Sequence, residues 1–381
     1  MSKAAGRETG IPGVAPSRRS LIGMGLGAGV LAACATTPRP APGLTAQGIL
    51  RPIKVSADRV TRVVVGLRPF RPAGFVVKAE PLGGKRLVHN YGHGGSGITL
   101  SWGTAQLAAD LAGPVSGVRC AVIGAGVAGL TTARILQQRG AQVTIYAEAL
   151  PPLTTSNIAG GHWWPTTVFD SDAADVAFRQ QFHAATRLSY RYFQTQLGGP
   201  YGVSWRRSYT LYDERRDFGP FTRALEDVAP EMAVLAPGQH PFGQAWVQRY
   251  ATMMIEPAVF LQAVLEDVLV AGGRVEVRRF REPAELAVLP ETVVFNCTGL
   301  GARDLFGDQA LTPVRGQLVV LLPQAELDYN LMAGPTYIFP RSDGVIIGGT
   351  FERGQWDTAA DPAVTARILE RAAQTAGRLQ V

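Results

Sequence analysis

The sequence predicts an α/β chain in two parts: a parallel sheet wrapped by helices, and an α+β part on a mixed or antiparallel sheet. Three observations predict it. A short apolar run at 118–123 enters the turn Gly124-x-Gly126-x-x-Gly129, followed by a helix-like run and a second strand-like run. Later runs, among them 203–212 and 244–255, alternate apolar and polar residues, as antiparallel strands with one wet face do. A second glycine-rich segment, His89-Asn90-Tyr91-Gly92-His93-Gly94-Gly95-Ser96-Gly97, stands ahead of the first. A chain of 381 residues with 46% hydrophobic content can bury one or two large cores.

In chain order, the first segment reads as a leader. Arg18-Arg19-Ser20-Leu21-Ile22 precedes an apolar run ending Leu31-Ala32-Ala33-Cys34. A basic stretch, a short apolar core and small residues before a cleavage point make an export signal, and twin arginines point to the Tat route. Leu-Ala-Ala-Cys resembles a bacterial lipobox, whose cysteine is lipidated and becomes the mature N-terminus. The expectation over 1–34 is therefore a Tat lipoprotein signal, with the protein on the periplasmic side of a bacterial envelope and membrane-anchored through Cys34. Two or more acyl chains give stable attachment, whereas the apolar run is too short to span a bilayer. Residues 35–58, rich in Pro, Ala and Thr, read as a tether.

The net charge of +7 comes from scattered arginine, and Lys3, Arg7, Arg18 and Arg19 place part of it in the leader. No basic run interleaves with aromatics, so no nucleic-acid partner is expected. Cys120 and Cys297 sit in apolar strand-like runs and read as small buried residues without a disulfide.

Residues 118–123 read as a buried parallel strand. A helix is expected over 130–139, stopped by Gly140, then a strand over 142–147 with Glu148 at its end. This is a complete Rossmann-like βαβ unit. Gly124, Ala125, Gly126, Val127, Ala128 and Gly129 form a tight turn that lets backbone approach a pyrophosphate. The helix N-terminus offers free N–H groups to it. Glu148 is placed to accept hydrogen bonds from ribose hydroxyls. The unit alone leaves FAD and NAD open. The next stretch, 151–165, carries hydroxyls at Thr154, Thr155 and Ser156 that can reach phosphate oxygens. Gly160 and Gly161 then permit backbone to approach a flat ring.

At these residues the chain resembles a known family. Tyr146-Ala147-Glu148 through Pro165 resembles the flavin-binding stretch of the D-amino-acid oxidase and D-aspartate oxidase family. His89 to Gly103 (His-Asn-Tyr-Gly-His-Gly-Gly-Ser-Gly-Ile-Thr-Leu-Ser-Trp-Gly) resembles the family's C-terminal signature, which folds back over the flavin. The resemblance covers nearly everything from about 59 to 381, in an unusual order. Residues 59–112 are similar to the family's last third, 112–117 form a turn-rich joint, and the βαβ unit follows. The chain ends after a helical stretch at 362–378, where a family chain continues into an Arg-Pro strand. That strand stands at the front, at 63–72. A circular permutation is therefore expected, with 60–72 packed beside 337–350; it costs little where termini lie close.

The resemblance implies FAD, with Gly94, Gly95, Ser96, Gly97, Ile98 and Thr99, together with His162, at the flavin. It implies an FAD-binding domain at 84–165 and 255–312 and a substrate domain at 59–83, 166–254 and 313–381. Within them the pattern predicts helices over 174–197 and from Pro257, and strands at 274–280, 292–296, 316–322, 335–340 and 344–350. A third backbone turn at 297–299 could meet the cofactor.

Arg68 and Arg71 each precede a proline, which favours extended backbone. Three positions apart, they face opposite ways in a regular strand, so one can enter a site while the other serves structure. A guanidinium pairs with a carboxylate through two parallel hydrogen bonds. The resemblance assigns the substrate carboxylate to Arg68 and leaves Arg71 structural. Tyr337 matches the family tyrosine on the same carboxylate, while a core aromatic remains the competing reading. A second tyrosine of the animal oxidases is replaced by Ala333, and Tyr329 is a candidate substitute. His162 and Trp164 fall where the family has smaller or different side chains. His93 has no metal-ligand set around it, and no metal is expected.

The implied reaction is FAD-dependent oxidative deamination of a D-amino acid by hydride transfer. The family's cofactor carries that step and the protein supplies orientation and electrostatics. Carbonyls near Gly95 receive the amine, and amides of 94–99 face charge on the reduced flavin. Dioxygen is the second partner, with 2-oxo acid, ammonia and hydrogen peroxide as products. Two alternatives stay open: an envelope flavin dehydrogenase passing electrons to a quinone or carrier, and a non-catalytic flavin-binding protein. A homodimer is compatible with each.

Overall fold

A computed structural model describes residues 49–380. The leader, with Arg18, Arg19 and Cys34, and most of the tether lie outside the described residues. The strands are β1 Val60–Phe70, β2 Val76–Leu82, β3 Lys85–Tyr91, β4 Arg119–Ile123, β5 Gln142–Ala147, β6 Val203–Tyr212, β7 Ala233–Leu235, β8 Trp246–Ile255, β9 Arg274–Val277, β10 Val293–Asn296, β11 Thr312–Leu321, β12 Tyr329–Ala333, β13 Thr336–Arg341, β14 Gly344–Gly348 and β15 Glu352–Arg353.

They form two sheets. The six-stranded sheet runs β2-β3-β10-β4-β5-β9 and is parallel except for β2. The nine-stranded sheet runs β1-β11-β14-β13-β12-β6-β8-β7, with β15 added on β11. It is antiparallel apart from the β12–β6 pair, the mixed sheet expected for the second part.

The parallel strands are buried because helices cover them. Every residue of β10 is buried, as are Cys120 through Ile123 in β4, which is why both read as short apolar runs. Helices Gly97–Ala112, Val127–Gln138 and Pro257–Val270 share one core with β4 and β5, through Leu100, Leu130 and Phe260. The helix Val176–Gln194 packs on Gly97–Ala112 so closely that Gly103 has no room for a Cβ against the Ala185 carbonyl. Beside that contact, Trp102 stacks on Tyr192 at 3.9 Å. One face of the nine-stranded sheet is covered by the helix Pro362–Ala376, whose Val364, Ile368 and Ala372 meet Val319, Leu321 and Ile347. The other face, with Leu318, Val320, Tyr337, Phe339 and Ile346, packs on Ile158.

The structure differs from the sequence expectations in several places. The pattern shows no helix at 97–112, yet a 16-residue helix stands there. Ile98 through Ala105 are all buried, so the polar face that marks an amphipathic helix is missing. Residues 76–82, placed with the substrate domain, pair with β3 in the six-stranded sheet. The cause is the two-residue turn Gly83-Gly84, both at positive φ, which closes a tight hairpin between Leu82 and Lys85. Strand β1 runs beside 312–321 along its whole length, so β11 separates it from β14. Side chains bridge that gap: Arg62 pairs with Asp343 at 2.7 Å, and Arg68 donates to the Thr350 carbonyl at 3.3 Å. Cys120 and Cys297 are buried thiols, pushed by desolvation to about 12. Among the described residues no helix is long and apolar enough to cross a membrane, and no group of three metal-ligating side chains gathers.

Candidate active site

A cavity of about 1200 Å³ is lined from both sheets. One end is made of backbone. β4 delivers the chain to Gly124, which sits at φ +109 with the Cys297 carbonyl 2.5 Å from where a Cβ would stand; only glycine fits both demands. The helix Val127–Gln138 starts at Gly126 with no capping side chain from that residue, and the Val127 amide donates to Ser156 Oγ at 3.0 Å. Gly124, Ala125, Gly126, Val127 and Ala128 line the cavity; Gly129 does not. A Cβ on Gly129 would strike the Gly124 carbonyl, so Gly129 serves helix-on-turn packing.

Glu148, Thr154, Thr155, Ser156, Gly160, Gly161 and His162 also line the cavity. Glu148 is exposed and stands 3.5 Å from Arg279, a contact that water screens strongly. Thr154 donates to Asn157 at 2.8 Å. A turn with no room for Cβ atoms at Gly124 and Gly129, a helix N-terminus facing the cavity and an acid at the end of β5 together fit a dinucleotide.

The second glycine segment meets the same cavity. Gly94, Gly95, Gly97, Ile98 and Thr99 line it, at the start of the helix Gly97–Ala112, whose first-turn amides have no i−4 carbonyl. Ser96 does not line it: its hydroxyl donates to the Thr166 carbonyl at 2.6 Å. The amides of Gly95 and Ser96 already donate to Thr167 and His93 carbonyls, both at 3.1 Å. Two of the six amides of 94–99 are therefore already taken by backbone carbonyls. Thr167 itself is left-handed, at φ 53, and its hydroxyl fills the space a Gly95 Cβ would need. His93 bonds Thr104 through Nε2 at 3.1 Å and stacks on Phe75. Its role thus includes a side-chain bond, and burial pushes its imidazole down to about 4.

The other end is made of side chains. Arg68 from β1 and Tyr337 from β13 both line it. Each lies over a glycine of a central strand. A Cβ on Gly316 would strike the Arg68 guanidinium, and one on Gly348 would strike the Tyr337 ring. Burial raises the Tyr337 phenol, and the adjacent Arg68 opposes that shift. Among the described residues no carboxylate pairs with Arg68. Arg71 faces away, held by Asp308 at 2.8 Å, which also accepts from Tyr91; the structural assignment fits it.

The wall beside Tyr337 is an aromatic stack. Tyr337 lies on Phe339 at 4.6 Å and Phe339 on His162 at 4.9 Å. Trp164 packs on Tyr250 at 4.9 Å to complete the lining. His162 bonds Ser208 at 3.0 Å, and burial pushes it down to about 3, so it is neutral near pH 7. Tyr329 does not substitute for the tyrosine replaced by Ala333. It is buried on the far side, donating to the Arg51 carbonyl at 2.8 Å, and Met332, Gly334 and Pro335 line the cavity near that position.

Sequence reasoning did not single out Tyr250, Phe339 or Thr167. It also passed over Gly316, although a glycine inside a strand signals a close approach.

The profile of the DAO family, FAD dependent oxidoreductase, matches residues 45–111 and 119–379. The chain is 33% identical to a D-amino-acid oxidase of Streptomyces coelicolor, over 66% of this chain and 76% of the relative. It is 31% identical to the human D-aspartate oxidase, over 66% and 74%. A glycine oxidase structure from Geobacillus kaustophilus has the same fold, with a TM-score of 0.51 at 17% identity, over 69% of this chain and 80% of that one. The chain belongs to the DAO family of FAD-dependent oxidoreductases.

Proposed function

We propose that the protein oxidatively deaminates D-amino acids. The observation that carries this reading is Arg68, a cation without a carboxylate partner among the described residues, facing the cavity beside Tyr337. A substrate carboxylate is the group such a site binds best. Bound FAD would supply the acceptor for the hydride of the substrate Cα. The turn 124–128 and the helix behind it would hold its pyrophosphate, Glu148 a ribose, and Thr154, Thr155 and Ser156 the phosphate side. Gly160, Gly161, His162, Gly94, Gly95 and Gly97 to Thr99 would flank the ring. Arg68 and Tyr337 fix the substrate carboxylate, and a carbonyl near Gly95 accepts from the amine. With both ends pinned, one Cα–H is directed at the cofactor. The substrate loses a hydride and a proton, and water hydrolyses the imino acid to a 2-oxo acid and ammonia. Dioxygen takes up the electron pair and two protons as hydrogen peroxide.

Anaerobic flavin bleaching by a panel of D-amino acids, with L-isomers and glycine as controls, tests the reading. Bleaching by D-isomers followed by peroxide on admitting air is the expected result. No bleaching by any D-amino acid overturns it, and bleaching without peroxide favours electron transfer to a quinone or carrier.

The family order is proposed to be circularly permuted. Supporting this, the family profile matches in two pieces that meet near 112–118, and β1 adds a strand at the edge of the nine-stranded sheet. Moving 59–112 behind 380 through a short linker should then leave a folded flavoprotein. A Tat-exported, periplasmic lipoprotein is proposed from the leader alone. Cys34→Ala should move the protein from the membrane to the soluble fraction.

A further inference from the structure

A line of hydrogen bonds runs from the outer strand of the six-stranded sheet to the cavity wall. His89 on β3 is 2% exposed and sits between Glu80 on β2 and Asn296 on β10. Its Nε2 meets Glu80 at 3.1 Å and its Nδ1 meets Asn296 Nδ2 at 2.9 Å. Asn296 Oδ1 accepts from the Thr298 amide at 3.2 Å and from the Thr298 hydroxyl at 2.7 Å. Thr298 lines the cavity, and the neighbouring Cys297 carbonyl is pressed on Gly124 of the dinucleotide turn.

The donors and acceptors in this line permit one arrangement. A backbone N–H only donates, so the Asn296 oxygen must face Thr298 and its NH₂ must face His89. His89 Nδ1 must therefore be an acceptor, and its proton sits on Nε2, donated to Glu80. A second proton on His89 would set Nδ1–H against the Asn296 NH₂. Turning the amide over would satisfy His89 but leave the Thr298 amide facing a donor.

We propose that His89 is a positioning residue for FAD: through Asn296 it holds Thr298 and the Cys297 carbonyl in the cavity wall only while its imidazole is neutral, so FAD binding weakens as His89 gains a proton. The charged groups around it are Glu80 and Lys78 on β2 and Asp308 beyond β10, itself paired with Arg71. The rings of Tyr91 and Phe306 close the remaining sides. Burial holds the imidazole below its ordinary value, with Glu80 opposing, so the transition falls on the acid side. The inference rests on the FAD family and is independent of which substrate is oxidised.

The test is the FAD dissociation constant of the flavin-stripped full-length protein, read by flavin fluorescence from about pH 8 to about pH 4.5. The expected result is a weakening of about tenfold or more toward acid. His89→Asn keeps an acceptor near the Nδ1 position and does not titrate. Asn296→Asp accepts from a protonated His89 and from Thr298 together. Both variants should lose the acid-side weakening while binding FAD at neutral pH. Imidazole nitrogen shifts of the unmodified protein should show the Nε2–H tautomer at neutral pH. They should also show protonation over the range in which FAD weakens. A pH-independent affinity, the other tautomer, or either folded variant keeping the native acid dependence overturns the proposal.

Discussion

The two ends of the cavity are built from different material. At the dinucleotide end the surface is backbone: Gly124 to Ala128, a helix start and the Cys297 carbonyl, all within or beside one βαβ unit. At the Arg68 end it is side chains, brought by β1, β8 and β13 and by the segment around His162. A backbone surface tolerates no added atom, whereas a side-chain surface can be rewritten one residue at a time.

Removing a group from the side-chain end should have the largest effect. Under the proposed reading, Arg68→Ala leaves the substrate carboxylate without its cation, which should cost about 2–5 kcal/mol, or roughly thirtyfold to several thousandfold in kcat/KM. Flavin content and melting temperature should stay unchanged, measured by absorbance and calorimetry. A matching loss of flavin would show that the two ends are not separable. The reciprocal change is Gly124→Ala. Its Cβ meets the Cys297 carbonyl at an unfavourable φ, and strain of about 1–3 kcal/mol should appear as weaker FAD binding.

Acid should weaken the fold that carries both ends. His93 and His162 are held down to about 4 and about 3, against 6.5 for a free histidine. Between those values the unfolded chain binds protons that the folded chain does not. Stability is therefore full above about pH 6.5 and falls as pH drops, by about 1.4 kcal/mol per pH unit per histidine. The loss flattens near pH 4 for His93 and near pH 3 for His162. Denaturant melts of His93→Gln and His162→Gln against pH would assign each share. The smallest effect is expected for Tyr337→Phe, which removes one hydroxyl beside Arg68. About 1 kcal/mol, or roughly fivefold, should be lost in kcat/KM with FAD binding intact.

Legibility followed the same division. The βαβ unit was readable because its signals are local: a glycine turn, buried strands with no polar face, and an acid at the end of β5. Of its six turn residues, only Gly129 proved to act in packing behind the surface. The helix Gly97–Ala112 was not readable, since burial on nearly all sides removes the amphipathic period. The β2–β3 hairpin was hidden in a segment whose Gly83-Gly84 turn sets the pairing while its partners lie in β10 and beyond. Tyr329 illustrates the limit at a single residue. Nothing in its neighbourhood in sequence says that its hydroxyl is taken by the Arg51 carbonyl.

By itself, then, the sequence determined the local backbone: where a strand meets a glycine turn, where a helix offers its amides, and that Arg68 and Arg71 take opposite roles. Those follow from φ, from steric room at Cα and from the two-residue period of a strand. Only the tertiary structure set the Arg68 guanidinium over Gly316 and the Tyr337 ring over Gly348. It also set Phe339 between Tyr337 and His162, and turned Tyr329 away. Those contacts join residues far apart in the chain, and their geometry is set by sheet order and by the glycines Gly316 and Gly348, which leave space for side chains from other strands.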